Sequence, residues 1–249
     1  MRSVAEEQRF GKVMRSVSDL SEAETETLDN SDFAECDSPA EECGGWKKPL
    51  LLWDWDDTLF CTTHLGRQGV SVTVQETELA SDLQRDLEHY GAVVGQTLEL
   101  AMSLGRVVIV TNAENGWVEL TCSRFMPTVY EKYVKYIPII SARSCFESPT
   151  VRSPVEWKRL AFQRLISDTH VVSFGDSCHE RDALLLTAKQ LQLPLMKSVK
   201  LIERPDLGAL LKQHHLVQKC LIQIITHPVS LDLCIQSQSQ SVQSCRPRN

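Results

Sequence analysis

Five residues, Asp54-Trp55-Asp56-Asp57-Thr58, follow directly on the apolar run Pro49 to Trp53. Asp54 and Asp56 stand two positions apart, a spacing that turns both carboxylates into one crevice at the end of an extended strand. An apolar run feeding three acids is costly unless something offsets their repulsion. A divalent cation does so, and hard oxygen ligands at this density suit Mg²⁺. An acidic turn or cap after a strand is the plainer alternative.

A second such stretch, Gly175-Asp176-Ser177-Cys178-His179-Glu180-Arg181-Asp182, follows the run His170 to Phe174. Gly175 lets the chain turn sharply, and Asp176 is again an acid at a strand end. Glu180 or Asp182 is a second ligand, or caps the next helix, where first-turn acids are favoured. Thr111 and Asn112 come just after Val107 to Val110 and can donate to an anion or cap a turn. Lys158 falls in the first turn of a helix predicted to begin near Pro154, where the helix dipole disfavours a cation. It lies off the apolar stripe of Trp157, Leu160, Ala161 and Leu165, and taken alone it reads as a solvated lysine. Cys178 and His179 either line the same crevice or are ordinary first-turn residues. Trp55 shapes an entrance or packs beneath the turn. Trp117 and Phe125 read as core, and His214-His215, with no partner at metal spacing, as a helix face.

The elements that must carry these residues alternate. Strands are predicted at Pro49 to Trp53, Val107 to Val110, Tyr136 to Ile140, His170 to Phe174 and Leu195 to Val199. Helices are predicted at Gln75 to Tyr90, Ala92 to Leu104 with Gly91 as a break, Gly116 to Phe125, Pro154 to Ile166, Glu180 to Gln192 and Pro205 to His214. The alternation implies βαβ units, hence an α/β fold with a mainly parallel sheet and helices on both faces. Ligands of such sheets bind beyond the carboxyl ends of the strands, where each chemical residue falls.

Taken in order, these elements resemble the haloacid dehalogenase-like (HAD) superfamily of phosphohydrolases. Its motifs are Asp-x-Asp-x-Thr, a Thr or Ser after the second strand, a Lys, and Gly-Asp followed by a further acid. The resemblance covers about residues 49–200. It implies a Rossmann-like HAD fold and a Mg²⁺-dependent phosphatase acting through an aspartyl-phosphate. Asp54 would be the nucleophile, and Asp56 the acid that protonates the leaving group and then activates water. Thr58 would position Asp56 and, with Thr111 and Asn112, belong to the substrate-binding set. Lys158 would neutralise the phosphoryl group and Asp54. Asp54, Asp56 (through its backbone carbonyl), Asp176 and Glu180 would hold the metal, with Asp182 competing for the last place. The segments Leu59 to Leu104 and Ser141 to Ser153 leave room for little or no cap domain, which suits a bulky, even macromolecular, phosphorylated substrate or closure by another subunit. A catalytically silent phosphate-binding or scaffold protein would carry the same fold.

Composition sets the outer bounds. The 249 residues are 42% hydrophobic and 24% charged, which excludes a wholly disordered or fibrous chain. The formal net charge of −7 argues against a generally basic nucleic-acid binder. The acidity sits in residues 1–46, with four basic and twelve acidic residues. That arm reads as disordered, with a short helix allowed around Val4 to Val17, and the Gln/Ser-rich residues 236–249 read as a second tail. A single catalytic domain is expected over 47–235. Nine cysteines without a Cys-x-x-Cys pair suggest reduced thiols in the cytoplasm. No apolar run suits a signal peptide or a membrane span.

Overall fold

The computed structural model describes residues 14–15, 48–72, 79–167 and 170–236. The strands are β1 (Met14–Arg15), β2 (Leu50–Trp53), β3 (Arg106–Thr111), β4 (Ile139–Ser141), β5 (Val171–Gly175), β6 (Met196–Lys200) and β7 (Leu231–Cys234). They form one sheet in the order β1-β7-β6-β5-β2-β3-β4, and every pair is parallel. The helices are α1 (Thr62–Arg67), α2 (Ser81–Leu104), α3 (Trp117–Phe125), α4 (Pro127–Lys132), α5 (Ala142–Phe146), α6 (Pro154–Leu165), α7 (Cys178–Leu191) and α8 (Leu207–Thr226). The architecture is α/β and Rossmann-like.

Strand β2 is buried throughout, as a strand covered on both faces must be. Leu51 and Trp53 point into the core shared with α2, α3, α4 and α8, while Leu50 and Leu52 point into the core under α5, α6 and α7. Trp53 stacks on Phe174 of the neighbouring strand, with ring centroids 4.1 Å apart. The register sets the functional levels: Trp53 lies beside Ile109 on one flank and Phe174 on the other. The chain leaves β2, β3 and β5 at nearly the same height, and Asp54, Thr111 and Asp176 converge there.

Several elements differ from the sequence expectation. Gly91 does not break a helix: α2 runs through it, and it is buried against Met126 and Val129. The strand expected over Tyr136 to Ile140 is shorter, preceded by a 3₁₀ turn at Val134–Tyr136. The helix expected to end at His214 continues to Thr226, since its buried face runs on through Val217, Leu221 and Ile224. After Pro228 the chain returns as β7, which the sequence reading left without a strand. Met14–Arg15, inside the expected arm, pairs with the open edge of β7 and is a strand rather than part of a helix. The rest of 1–46, residues 237–249 of the expected tail and the helix start at Gln75 lie outside the described residues. Among the described residues no helix is long and apolar enough to cross a membrane.

Candidate functional site

Asp54 follows the last residue of β2, with its N–H on the Phe174 carbonyl at 2.9 Å. Its carboxylate meets those of Asp176 and Glu180, and one oxygen from each lies within 4.8 Å of the others. All three side chains are nearly inaccessible to solvent. Lys158 stands among them with no exposed surface. Its Nζ donates to Asp54 Oδ1 at 2.5 Å and to the Val110 carbonyl at 2.6 Å, and lies 2.9 Å from Glu180 Oε1. An ammonium has three N–H groups, and here each has an acceptor. The expectation of a solvated lysine off the apolar stripe is therefore corrected. The inner face of α6 is Trp157, Lys158, Ala161 and Phe162, and the two carboxylates offset the desolvation of the ammonium.

Glu180, not Asp182, is the second acid of the cluster. Asp182 pairs with Arg181 at 3.1 Å on a partly exposed surface. Glu180 closes a capping box: its Oε2 accepts from the Ser177 N–H at 3.2 Å and the Ser177 hydroxyl at 2.7 Å. Its stem lies over Gly175, where a Cβ would come within 2.3 Å of Glu180 Cγ. Close approach, not a sharp turn, therefore requires this glycine.

The remaining predicted residues knit the loops together. Thr58 is fully buried. Its hydroxyl accepts the Asp176 N–H at 3.0 Å, so it joins the two acidic loops rather than facing the crevice. The Thr111 hydroxyl accepts the Ala113 N–H at 2.9 Å, which folds the loop after β3. Asn112 donates to the Pro154 carbonyl at 3.3 Å, tying that loop to the start of α6, while its own Oδ1 is buried without a partner among the described residues. Asp57, at φ 56°, accepts from the Thr63 N–H at 2.8 Å and the Thr63 hydroxyl at 2.5 Å, holding the start of α1. Asp56 stands outside the three-acid cluster. Its Oδ1 accepts from the Thr62 hydroxyl and from the Trp117 indole N–H, the latter at 2.9 Å.

Two aromatic or imidazole groups behave differently from the sequence reading. Trp117 reaches Asp56 instead of being only core. His214, expected on a helix face, is buried beneath the Asp54–Thr58 turn. Its Nε2 lies 3.0 Å from the Thr58 carbonyl and its Nδ1 3.0 Å from the Thr97 hydroxyl. Burial pushes His214 down to about 4, so the neutral ring with hydrogen on Nε2 serves as donor to Thr58. Trp55 is wholly buried, its N–H on the Thr121 hydroxyl at 2.9 Å.

The electrostatics follow from three acids around one ammonium. Burial works against Lys158, yet Asp54 and Glu180 outweigh it and hold the ammonium above its ordinary pKa. Glu180 is likewise desolvated, but Lys158 and Ser177 bring it below the usual range. For Asp54, burial dominates the pull of Lys158, and Glu180 and Asp176 add repulsion, so its carboxyl sits well above the usual range. Burial, then Glu180 and Asp57, push Asp176 up to about 7. Burial also raises Asp56 against the opposing hydrogen bonds from Thr62 and Trp117. The cluster thus holds more acids than its single lysine can keep ionised. Its buried oxygen donors and raised carboxyls suit a hard divalent cation.

Comparison with protein-family models, with curated proteins and with solved structures finds no match for the chain.

Proposed function

We propose that the protein is a Mg²⁺-dependent phosphatase of the HAD type that works through an aspartyl-phosphate on Asp54. The observation that carries this reading is the buried assembly of Asp54, Asp176 and Glu180 around Lys158 at the carboxyl ends of β2, β3 and β5. Asp54 and Asp176 would hold the metal with the backbone carbonyl of Asp56, and Glu180, with both oxygens engaged, would hold Lys158 and the start of α7. The bound cation would supply charge neutralisation, easing approach of an anionic ester to an anionic carboxylate.

The protein's own groups then divide the work. Asp54 attacks phosphorus, and the phosphorus–oxygen bond to the leaving group breaks. Asp56 gives its proton to that oxygen. Water next attacks the phosphorus of the aspartyl-phosphate, Asp56 takes the water's proton, and Asp54 is released with inorganic phosphate. Lys158, whose donors are all engaged within the protein, orients Asp54 and lends positive charge rather than a free hydrogen bond. The Thr111 hydroxyl and the backbone N–H of Asn112 would take phosphoryl oxygens. The substrate is a phosphate monoester, and the unpaired cysteine pattern fits a cytoplasmic setting.

The test is hydrolysis of p-nitrophenyl phosphate with and without Mg²⁺. Activity is expected to disappear on chelation and to fall at least about a thousandfold in Asp54→Asn, as for loss of a nucleophile. Folded, metal-loaded protein that hydrolyses no member of a phosphate-ester panel would refute the reading.

A further inference from the structure

The two donors on Asp56 converge on a single oxygen. Thr62 is the first residue of α1 and Trp117 the first of α3, and both bond Oδ1. No donor among the described residues bonds Oδ2. Gly116, at φ 85°, turns the chain directly before Trp117, the first residue of α3. The contrast with Trp55 is instructive: that indole spends its N–H inside the core, on Thr121. A tryptophan used only to fill volume needs no carboxylate partner, whereas Trp117 is half-buried with its N–H committed to Asp56.

We infer that Trp117, with Thr62, is a positioning residue: the pair clamps Asp56 Oδ1 and leaves Oδ2 as the oxygen that exchanges the proton. The inference rests on the phosphatase reading and goes beyond it by assigning two residues outside the acidic motifs. Clamping Oδ1 stops the carboxyl from rotating and concentrates negative charge on the bonded oxygen, so the proton resides on Oδ2. In the first step the Oδ2 proton passes to the leaving oxygen as its bond to phosphorus breaks and the Asp54–phosphorus bond forms. In the second, Oδ2 takes a proton from the attacking water as the Asp54–phosphorus bond breaks. The clamp matters only where the leaving group needs a proton, which alkyl esters do and dinitrophenyl esters do not.

The experiment compares Trp117→Phe, Thr62→Val and Thr62→Ser with the wild-type full chain on β-glycerophosphate and dinitrophenyl phosphate. Trp117→Phe and Thr62→Val are each expected to lower kcat on β-glycerophosphate about tenfold, a part of the ~10²–10⁴-fold that general acid catalysis supplies. On dinitrophenyl phosphate kcat changes less than about twofold, because proton donation contributes little there. Thr62→Ser, which keeps the hydroxyl, restores the alkyl rate. Equal losses on both esters, or no loss on either, overturn the inference. A wild type that hydrolyses neither ester overturns the phosphatase reading and, with it, any role of the clamp in proton transfer. A second measurement does not depend on turnover: hydrogen exchange of the Trp117 indole N–H in wild type and Asp56→Ala. Exchange about tenfold faster in the variant supports the clamp, as expected for one lost hydrogen bond. Unchanged exchange overturns it.

Discussion

Among the described residues, Lys158 and Lys197 have no exposed surface, and they sit at opposite ends of the sheet. Lys158, at the carboxyl ends of β2, β3 and β5, has Asp54, Glu180 and the Val110 carbonyl around its Nζ. Lys197, near the amino end of β6, donates to the Ile225 carbonyl at 2.5 Å, close to the C-terminus of α8. That carbonyl and the negative end of the helix dipole are weaker compensation than two carboxylates. Burial therefore pulls Lys197 down to about 8, while Lys158 stays above its ordinary value. His170, just ahead of β5, is pushed down to about 4 by burial and by Lys197. One end of the sheet thus holds its ammonium firmly, and the other holds its own less firmly. The cost of desolvation is common to both ends, and partners decide which groups remain ionised.

The largest expected effect comes from removing the better compensated lysine. In Lys158→Met, Asp54 and Glu180 lose their counter-charge while staying buried. Unfolding free energy should fall by about 3–5 kcal/mol, the scale for breaking a buried pair from one side. Urea denaturation with a fluorescence readout measures it. The proposed phosphatase activity should fall at the same time, at least about a thousandfold, because Asp54 loses both its orientation and the charge beside it. A variant that unfolds at the wild-type urea concentration would show that the two ends of the sheet do not differ in the way described.

Charge at the site can also be balanced from outside. Mg²⁺ at about a hundredfold excess over its dissociation constant should stabilise the protein by about 2.7 kcal/mol. Asp176→Asn should lose most of that increment. Metal-free, the same variant should be at least as stable as wild type at pH 8. The sign follows from the raised pKa: the folded state holds the Asp176 proton up to about 7, the unfolded state only to the ordinary 3.8. Between those values the native protein binds more protons, so its stability falls as pH rises, and the penalty is complete above the upper one. Thermal melts across pH 4–8, with Mg²⁺ and with chelator, test both statements. A Mg²⁺ increment undiminished in Asp176→Asn would place the ion elsewhere.

The contrast also shows what a sequence can disclose. The acids after β2 and β5 were legible because a buried apolar run followed at once by carboxylates is a local pattern. Its position at a strand end follows from the βαβ alternation. Lys158 was less so, since its two carboxylate partners are distant in the chain, and the periodicity of α6 alone placed it off the buried face. The indole of Trp117 meets Asp56 across 61 residues, and a tryptophan carries no local mark that separates a core ring from a committed N–H donor. A first-turn position directly after Asn115-Gly116, in the loop that follows a chemical strand, is the one clue the sequence offered. His214 was similarly hidden, because only the packing of α8 against α2 brings it under Thr58. Strand β7 escaped because Leu216 to Ile235 reads as one interrupted apolar stretch, although Pro228 divides a helix from a strand within it.

Lys197 gives the smallest effect and the one with the opposite sign. Its folded pKa of about 8 lies below the ordinary 10.5, so at neutral pH folding carries the cost of burying a charged ammonium. Between those values the unfolded chain binds more protons than the native state, and stability rises with pH. Lys197→Met keeps the buried stem and removes the charge. It should stabilise the protein at pH 7 by about 1–3 kcal/mol, less the hydrogen bond to Ile225, whose carbonyl lies at a helix end. The gain should shrink as pH rises from about 8 toward 10.5, which wild-type and variant urea curves at several pH values would reveal. The difference between the two proteins, rather than either profile alone, isolates the lysine. A destabilised Lys197→Met would mean that the α8 terminus compensates the ammonium nearly as well as Asp54 and Glu180 compensate Lys158. Helix-end carbonyls would then rank with carboxylates as partners for buried charge in this fold.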